Sequence, residues 1–342
     1  MNKKITIEEW NRLYIAAQKF KDSKCYKWMF NNDIFGVQNP YTGEIGYCSI
    51  MGNVGNHIAI AVYKGEKGLY EVLKLLSGEV DVESPDALFM QDCIMLSFED
   101  RNFLASKDLN IIKQLGLKYR GKKEWPLFRD YTPGLFPWYL NGDDCRFLTL
   151  VIEQAVEVAM LCKKDKHLIY DCNDDEFLVR VPQKNGDTFS WETKHIIPEP
   201  FNQSLFTVEV ADEISVRRLK NVTPKSGNVW EIDTFYAPSP VADNGRPFYP
   251  KACLYLDHDG ESILGIHLIE KLEESGYEFV DKFIDTIETM GYLPRCIYVE
   301  REETYALFND ICKKLGIELV MVETLSLMNE IRDEMGDFLS GE

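Results

Sequence analysis

Residues 251–268 read KACLYLDHDGESILGIHL, and residues 293–322 read LPRCIYVEREETYALFNDICKKLGIELVMV. Ala252 to Leu256 and Ser262 to Leu268 are short apolar runs on either side of Asp257-His258-Asp259-Gly260. Asp-Gly between two such runs is the chemistry of a tight hairpin turn. Further on, Arg295 to Val299 and Ile317 to Val322 read as strands. Helices are expected at Tyr277 to Met290, closed by Gly291, at Glu302 to Leu315, closed by Gly316, and from Thr324 onward. Glycine just past a periodic apolar stretch is a helix stop, because it takes the left-handed conformation at little cost. The order is β-β-α-β-α-β-α. Alternating strands and helices imply parallel strands with right-handed crossovers. The hairpin adds antiparallel pairing, so an α/β domain with a mixed sheet is expected at 246–342.

Upstream, Ala237-Pro238-Ser239-Pro240 through Asn244-Gly245-Arg246-Pro247 is punctuated by Pro and Gly and reads as a linker. Before it, 166–245 reads as a β-rich connector with strands at 177–181, 188–192 and 204–210. Residues 1–165 read as an α+β domain. Its first helix starts at Thr6, where Thr6 and Glu9 form a capping box. Strands follow at Asp33 to Val37, Ile45 to Met51, His57 to Tyr63 and Cys93 to Phe98. Helices follow at Gly68 to Leu76 and Lys107 to Leu115, and a long one is capped by Asn141 or Asp143. The chain as a whole is α+β.

Charge supports a boundary near 245. The 342 residues hold 38 basic and 56 acidic side chains, a net charge of −18. Residues 251–342 hold 8 and 21 of these, net −13, whereas residues 1–165 hold 21 and 22, net −1. An apolar fraction of 45% excludes disorder and fibrous repeats. The overall charge excludes a general nucleic-acid coat, which needs a basic footprint. No apolar stretch of signal-peptide or membrane-span length occurs, so a cytoplasmic chain without membrane contact is expected. The nine cysteines are odd in number, form no C-x-x-C pair and lie in apolar runs such as KACLYLD, so free buried thiols are expected.

No phosphate-binding, dinucleotide, zinc-protease or nucleophile-elbow motif is present. The glycines of Met51-Gly52-Asn53-Val54-Gly55-Asn56 lie between two antiparallel strands and read as a hairpin turn. The five histidines have no zinc spacing.

Two constellations carry chemistry. The first is acidic. Asp257 and Asp259 follow one strand, and Glu300 and Glu323 end the next two. Ligands in α/β sheets gather at the carboxyl ends of parallel strands. Shared carboxylates there would hold paired Mg²⁺ or Mn²⁺ for phosphoryl chemistry. Catalytic candidates are Asp257, Asp259 and Glu300, and metal candidates are Asp257, Asp259 and Glu323. The competing reading is an ordinary turn with solvated strand-end carboxylates, and it needs no cofactor. The second constellation is basic and aromatic. Residues 107–129 carry seven cations against Asp108 and Glu124, seven minus two giving +5. Lys118, Arg120, Lys122, Lys123, Trp125, Arg129 and Trp138 are its candidate binding residues. Cations for phosphates and rings for stacking suit an anionic ligand at 107–139, such as a nucleotide or a single strand. The competing reading is a solvated basic loop with anchoring aromatics.

The pattern from Asp257 through Leu293-Pro294-Arg295-Cys296-Ile297-Tyr298-Val299-Glu300 to Leu315-Gly316-Ile317 resembles part of a ribonuclease H-like, or transposase-integrase, core. The resemblance implies Asp257 as the first-strand metal ligand and Glu300 as the acidic residue after a later strand. The sequence departs from that pattern in two respects: one leading strand is not evident, and no late acidic ligand is assigned. Over most of its length the chain also resembles bacterial proteins that pair two domains of unknown function. The residues carrying this are Asn39 to Gly52, Ala61 to Leu69, Pro133 to Trp138 and Phe147-Leu148. The resemblance implies two domains and no catalytic residues. The expected function is non-catalytic binding or interaction, with a metal-dependent phosphoesterase or nuclease as the alternative.

Overall fold

The computed structural model describes residues 4–55, 57–82, 84–165, 167–170, 175–186, 188–242 and 245–340. The chain divides into two compact units, Met1–Pro133 with Pro137–Phe201, and Gly134–Phe136 with Asn202–Glu342.

The first unit runs α1 (Ile7–Ser23), β1 (Phe35–Gln38), β2 (Ile45–Met51), β3 (Ile58–Lys64), α2 (Gly65–Ser77), β4 (Cys93–Glu99), α3 (Ser106–Gln114), β5 (Trp125–Tyr131), α4 (Gly142–Lys164), α5 (His167–Tyr170), β6 (Phe177–Asn185) and β7 (Thr188–Ile196). The capping box is present: Glu9 N donates to Thr6 Oγ1 at 3.2 Å, and Thr6 N donates to Glu9 Oε2 at 2.8 Å. Asn141 caps α4, accepting from Asp143 N and Asp144 N. The strands form one sheet in the order β5-β4-β3-β2-β1-β6-β7. Period-two alternation sends Phe35, Cys48, Ile50, Ile60, Val62 and Leu96 to the face covered by α1 and α4. It sends Tyr47, Ala59, Ala61, Tyr63 and Cys93 to the face covered by α2. β1 to β4 are buried on both sides, so these strands read as near-continuous apolar runs.

Two expectations about domain organisation are corrected here. Residues 166–245 are not a separate connector. β6 pairs in parallel with β1, Gly36 opposite Val179, and β7 pairs with β6. A Cβ on Gly36 would stand 2.8 Å from Ile45 Cγ2 and 2.9 Å from Val179 Cγ2, so only glycine lets the flanking strands close in. The expected strand at 204–210 does not form. Val210 N donates to the Asp310 carboxylate at 2.9 Å rather than to a ladder, and Phe206, Val208 and Val210 pack as single side chains on the second core.

The second unit runs α6 (Glu213–Val222), β8 (Val229–Tyr236), β9 (Lys251–Asp257), β10 (Ser262–Ile269), α7 (Leu272–Ser275), α8 (Tyr277–Met290), β11 (Cys296–Val299), α9 (Glu302–Leu315), β12 (Glu318–Met321) and α10 (Ser326–Ser340). Its sheet order is β10-β9-β8-β11-β12, with β8, β9 and β10 antiparallel and β8, β11 and β12 parallel. The mixed sheet is as read from the sequence, with one addition. β8, VWEIDTFY, is its central strand and supplies the leading strand that the sequence reading lacked. The 237–247 stretch is not a linker between domains. Ala237 N donates to Pro250 O at 2.8 Å, and Val241 and Phe248 exchange backbone bonds at 2.7 and 3.0 Å, which closes a loop between β8 and β9. Asp243 and Asn244 lie outside the described residues. Trp230, Tyr255, Phe279, Phe283 and Phe308 are fully buried and fill the core under α8 and α9.

Eight cysteines are free and buried, and Cys172 lies outside the described residues. Among the described residues no helix is long and apolar enough to cross a membrane.

One carboxyl group makes stability depend on pH. Glu71 on α2 has a buried Oε2 without a hydrogen-bond partner among the described residues, and Lys67 Nζ stands 3.8 Å from its Oε1. Burial pushes this carboxyl up to about 7, against a weaker opposing pull from Lys67. Between its ordinary value of 4.5 and about 7, the folded chain holds a proton that the unfolded chain has lost. The contribution of Glu71 to stability therefore falls as pH rises through that window and is flat above it. Glu71→Gln is expected to shrink the loss of Tm between pH 5 and pH 8, as measured by thermal melts of both proteins.

Candidate functional site

β9 runs antiparallel to β8 with Asp257 opposite Trp230, near the start of β8. β11 runs parallel to β8 with Tyr298 opposite Glu231, so Glu300 continues toward the level of Asp233. Asp257 and Glu300 thus lie about three residues, or roughly 10 Å, apart along the strand direction. The expected convergence on one sheet edge is corrected by this register. Asp257 is engaged by its own turn: Oδ1 accepts from Asp259 N and Gly260 N, both at 3.2 Å, and Oδ2 accepts from Asn228 Nδ2 at 3.2 Å. Asp259 Oδ2 accepts from Val229 N at 3.0 Å and pins the hairpin to β8. Glu300 Oε2 accepts from Leu325 N at 2.9 Å, and Glu323 is exposed.

The residues that sequence reasoning missed lie on β8. Asp233 is fully buried and ion-pairs with Arg301 at the N-cap of α9, and its Oδ1 accepts from Thr304 Oγ1 at 3.2 Å. The Thr234 and Thr304 hydroxyls are 2.7 Å apart, Thr234 Oγ1 donates to Glu303 Oε1 at 3.1 Å, and Lys251 Nζ stands 2.6 Å from that same oxygen. At the other end, Glu231 is 2% exposed, with its Oε1 2.5 Å from His258 Nδ1. Asp257, expected on the first strand of this sheet, ends its second, β9, and the first, β8, carries Glu231 and Asp233. The donor set does not fit Mg²⁺ or Mn²⁺. The guanidinium of Arg301 stands where a cation would bind Asp233, and no group of three His, Cys, Asp or Glu suited to a metal occurs among the described residues.

The basic segment divides in two. Part of it is consumed by structure. Arg129 grips Asp108 with both terminal nitrogens, at 3.0 and 2.7 Å, and lies 4.7 Å over the Tyr139 ring. Lys123 N donates to Asp100 Oδ1 at 2.7 Å, and its ammonium donates to Gly55 O at 3.0 Å. Trp138 exchanges backbone bonds with Asp130 at 2.8 and 2.9 Å, and its ring packs against Tyr139. Lys122 is exposed. The remaining residues converge. Lys118, Arg120 and Trp125 line a cleft of about 560 Å³ between the end of α3 and the start of β5, together with Arg101, Lys113 and Tyr119. Among the described residues no carboxylate lines it. The Arg101 guanidinium lies 5.9 Å from the Trp125 ring centre, and Tyr119 packs 5.8 Å from the same ring. Lys118 and Arg120 are exposed, while both rings are half-buried. Arg101 was missed because it precedes α3, six residues before the basic run begins at Lys107.

Comparison with known proteins follows the same division. A family model described as a domain of unknown function (DUF7309) matches residues 10–180, half of the chain. The chain belongs to that family. A second model, also a domain of unknown function (DUF6930), matches residues 215–336 and includes β8. No curated protein matches the chain. Among solved structures, the chain is similar to the integrase catalytic core domain of HTLV-2 in complex with magnesium. That match has 14% identity and a TM-score of 0.25, and it covers 32% of this chain and 66% of that one. It is also similar to a chain of the simian T-cell lymphotropic virus intasome in complex with PP2A regulatory subunit B56 gamma. Here identity is 16%, the TM-score 0.25, and coverage 34% and 42%. The chain thus spans less than two thirds of either.

Removing Arg301 leaves a buried, uncompensated carboxylate. Arg301→Met is expected to destabilise the second unit by about 3–5 kcal/mol, and combining it with Asp233→Asn is expected to restore much of that loss. Denaturant unfolding of the two single variants and the double variant measures the coupling.

Proposed function

We propose that this chain is a non-catalytic binding protein whose first unit takes a nucleotide unit, free or within a single strand, in the cleft between α3 and β5. One observation carries this reading. Arg101, Lys113, Lys118 and Arg120 surround Tyr119 and Trp125, with no carboxylate among the described residues that line the cleft. Four cations at one opening attract phosphate, and aromatic faces stack on any base without selecting one. The chain's overall acidity makes the concentration of positive charge local. The metal-dependent phosphoesterase or nuclease reading has less support, because Asp257 and Asp259 lie at one end of the strands and Glu300 and Glu323 at the other, and Asp233 is paired with Arg301. A bacterial, cytoplasmic setting accords with the eight free, buried thiols and with the resemblance to bacterial two-domain proteins.

Polarisation titrations of a labelled oligothymidylate, with ATP as competitor, test the reading at low salt. The double substitution of Lys118 and Arg120 by Glu is expected to weaken binding more than tenfold, and Lys122→Glu to change it little. Each lost phosphate contact reduces the salt slope by about 0.7. Trp125→Ala is expected to weaken binding while leaving that slope in place. Absence of binding at low salt overturns the proposal.

A further inference from the structure

β10 is the terminal strand of the second sheet, hydrogen-bonded on one side to β9. Its register places Ile263, Ile266 and Leu268 opposite Leu256, Leu254 and Ala252, on the sheet face that also carries the small cluster around Phe235 and Met328. All three point outward: Ile263 is 57% exposed, Ile266 40% and Leu268 51%. The opposite face of the strand is engaged, since Leu264 packs on the core and His267 Nε2 lies 3.0 Å from Glu278 Oε2.

Sheet edges are ordinarily protected from pairing by charge, shortness or cover, and the other three edges follow that rule. β12 has four residues, β7 exposes Thr193, Lys194 and His195, and β5 is bridged by Trp138. β10 departs from it. The register shift between Ile263 and Gly265 interrupts only its beginning, leaving Gly265 to Ile269 as a regular run with two exposed aliphatic side chains on one face. Charge surrounds this run. Asp259 and Glu261 precede it, and Glu270, Glu273 and Glu274 follow, all exposed. The nearest following cation, Lys271, is paired with Glu274 at 2.7 Å. A second copy of the chain would bring the same carboxylates edge to edge, in a segment whose net charge is −13.

We propose that β10 is a docking edge for an extended basic segment of a partner protein, added as a sixth strand. The partner's main chain pairs with Gly265 to Ile269, its aliphatic side chains cover Ile266 and Leu268, and its Lys or Arg residues meet Glu261, Glu270 and Glu273. Strand addition of this kind draws affinity from backbone bonds and specificity from alternate side chains.

The probe is a labelled ten-residue peptide of alternating valine and lysine, titrated into the full chain, with alternating valine and glutamate as control. The lysine peptide is expected to bind, more weakly as salt rises, and the glutamate peptide is not. Ile266→Lys is expected to weaken binding at least tenfold, and the milder Ile266→Thr severalfold, with circular dichroism confirming that each stays folded. Equal binding to wild type and both variants overturns the proposal, as does equal binding of the two peptides. Sedimentation velocity supplies the remaining outcome. A concentration-dependent dimer that Ile266→Lys abolishes makes a second copy the occupant and overturns the basic partner.

Discussion

Two carboxylates on one central strand organise the second unit. Glu231 and Asp233 are alternate residues of β8 and share a face of a strand buried along nearly all its length. A buried charge is tolerated only when a partner is held in place. Asp233 obtains Arg301 and the Thr304 hydroxyl, and both belong to the start of α9. The chain leaving β11 therefore turns directly into α9 with its first residues facing β8. Glu231 obtains His258, which fixes the β9–β10 turn against the other end of the same strand. Beside Asp233, Glu303 meets both the Lys251 ammonium and the Thr234 hydroxyl. The partners of Asp233 thus come from the start of one helix of the same unit.

The first unit shows the complementary arrangement. Two of its cations near α3 and β5 are paired with local anions, Arg129 with Asp108 and Lys64 with Asp130 at 2.6 Å. Arg101, Lys113, Lys118 and Arg120 line one opening together with two aromatic rings. The neutrality of residues 1–165 as a whole conceals this, because charge summed along a sequence says nothing of which side chains face each other. Electrostatic attraction acts at the level of the surface, where four cationic side chains line one cleft.

Local signals were legible wherever a short segment decides its own conformation. The Thr6 capping box, the Asp-Gly hairpin at 257–260 and the glycine stops at 291 and 316 all form as their chemistry dictates. β8 was not legible, because Trp230, Ile232 and Thr234 alternating with Glu231, Asp233 and Phe235 place two acids where a buried strand carries apolar residues. Their compensation comes from His258, 27 positions away, and from Thr304, 71 positions away. Residues 204–210 erred in the opposite direction: their alternation suits a strand, but the ladder they lack is replaced by Asp310. Asp257 was misplaced because a sequence does not state which way a strand runs within its sheet, and β9 runs against β8. Of the basic segment, Lys118, Arg120 and Trp125 converge as expected, while Lys123, Arg129 and Trp138 became scaffolding once Asp100, Asp108 and Asp130 claimed them.

The parallel pairing of β1 with β6 has a consequence for how the protein is made. β1 to β5 can assemble in the order in which they are synthesised, each beside its predecessor. The inner edge of β1 stays open until residues 177–196 have left the ribosome, after the whole of α4. During that interval Phe35 and Val37 belong to an unprotected sheet margin, a template for pairing with neighbouring nascent chains. A coding sequence interrupted between α4 and β6 would leave that margin permanently exposed, so the genetic boundary of the first unit lies beyond β7 and not at the end of its longest helix.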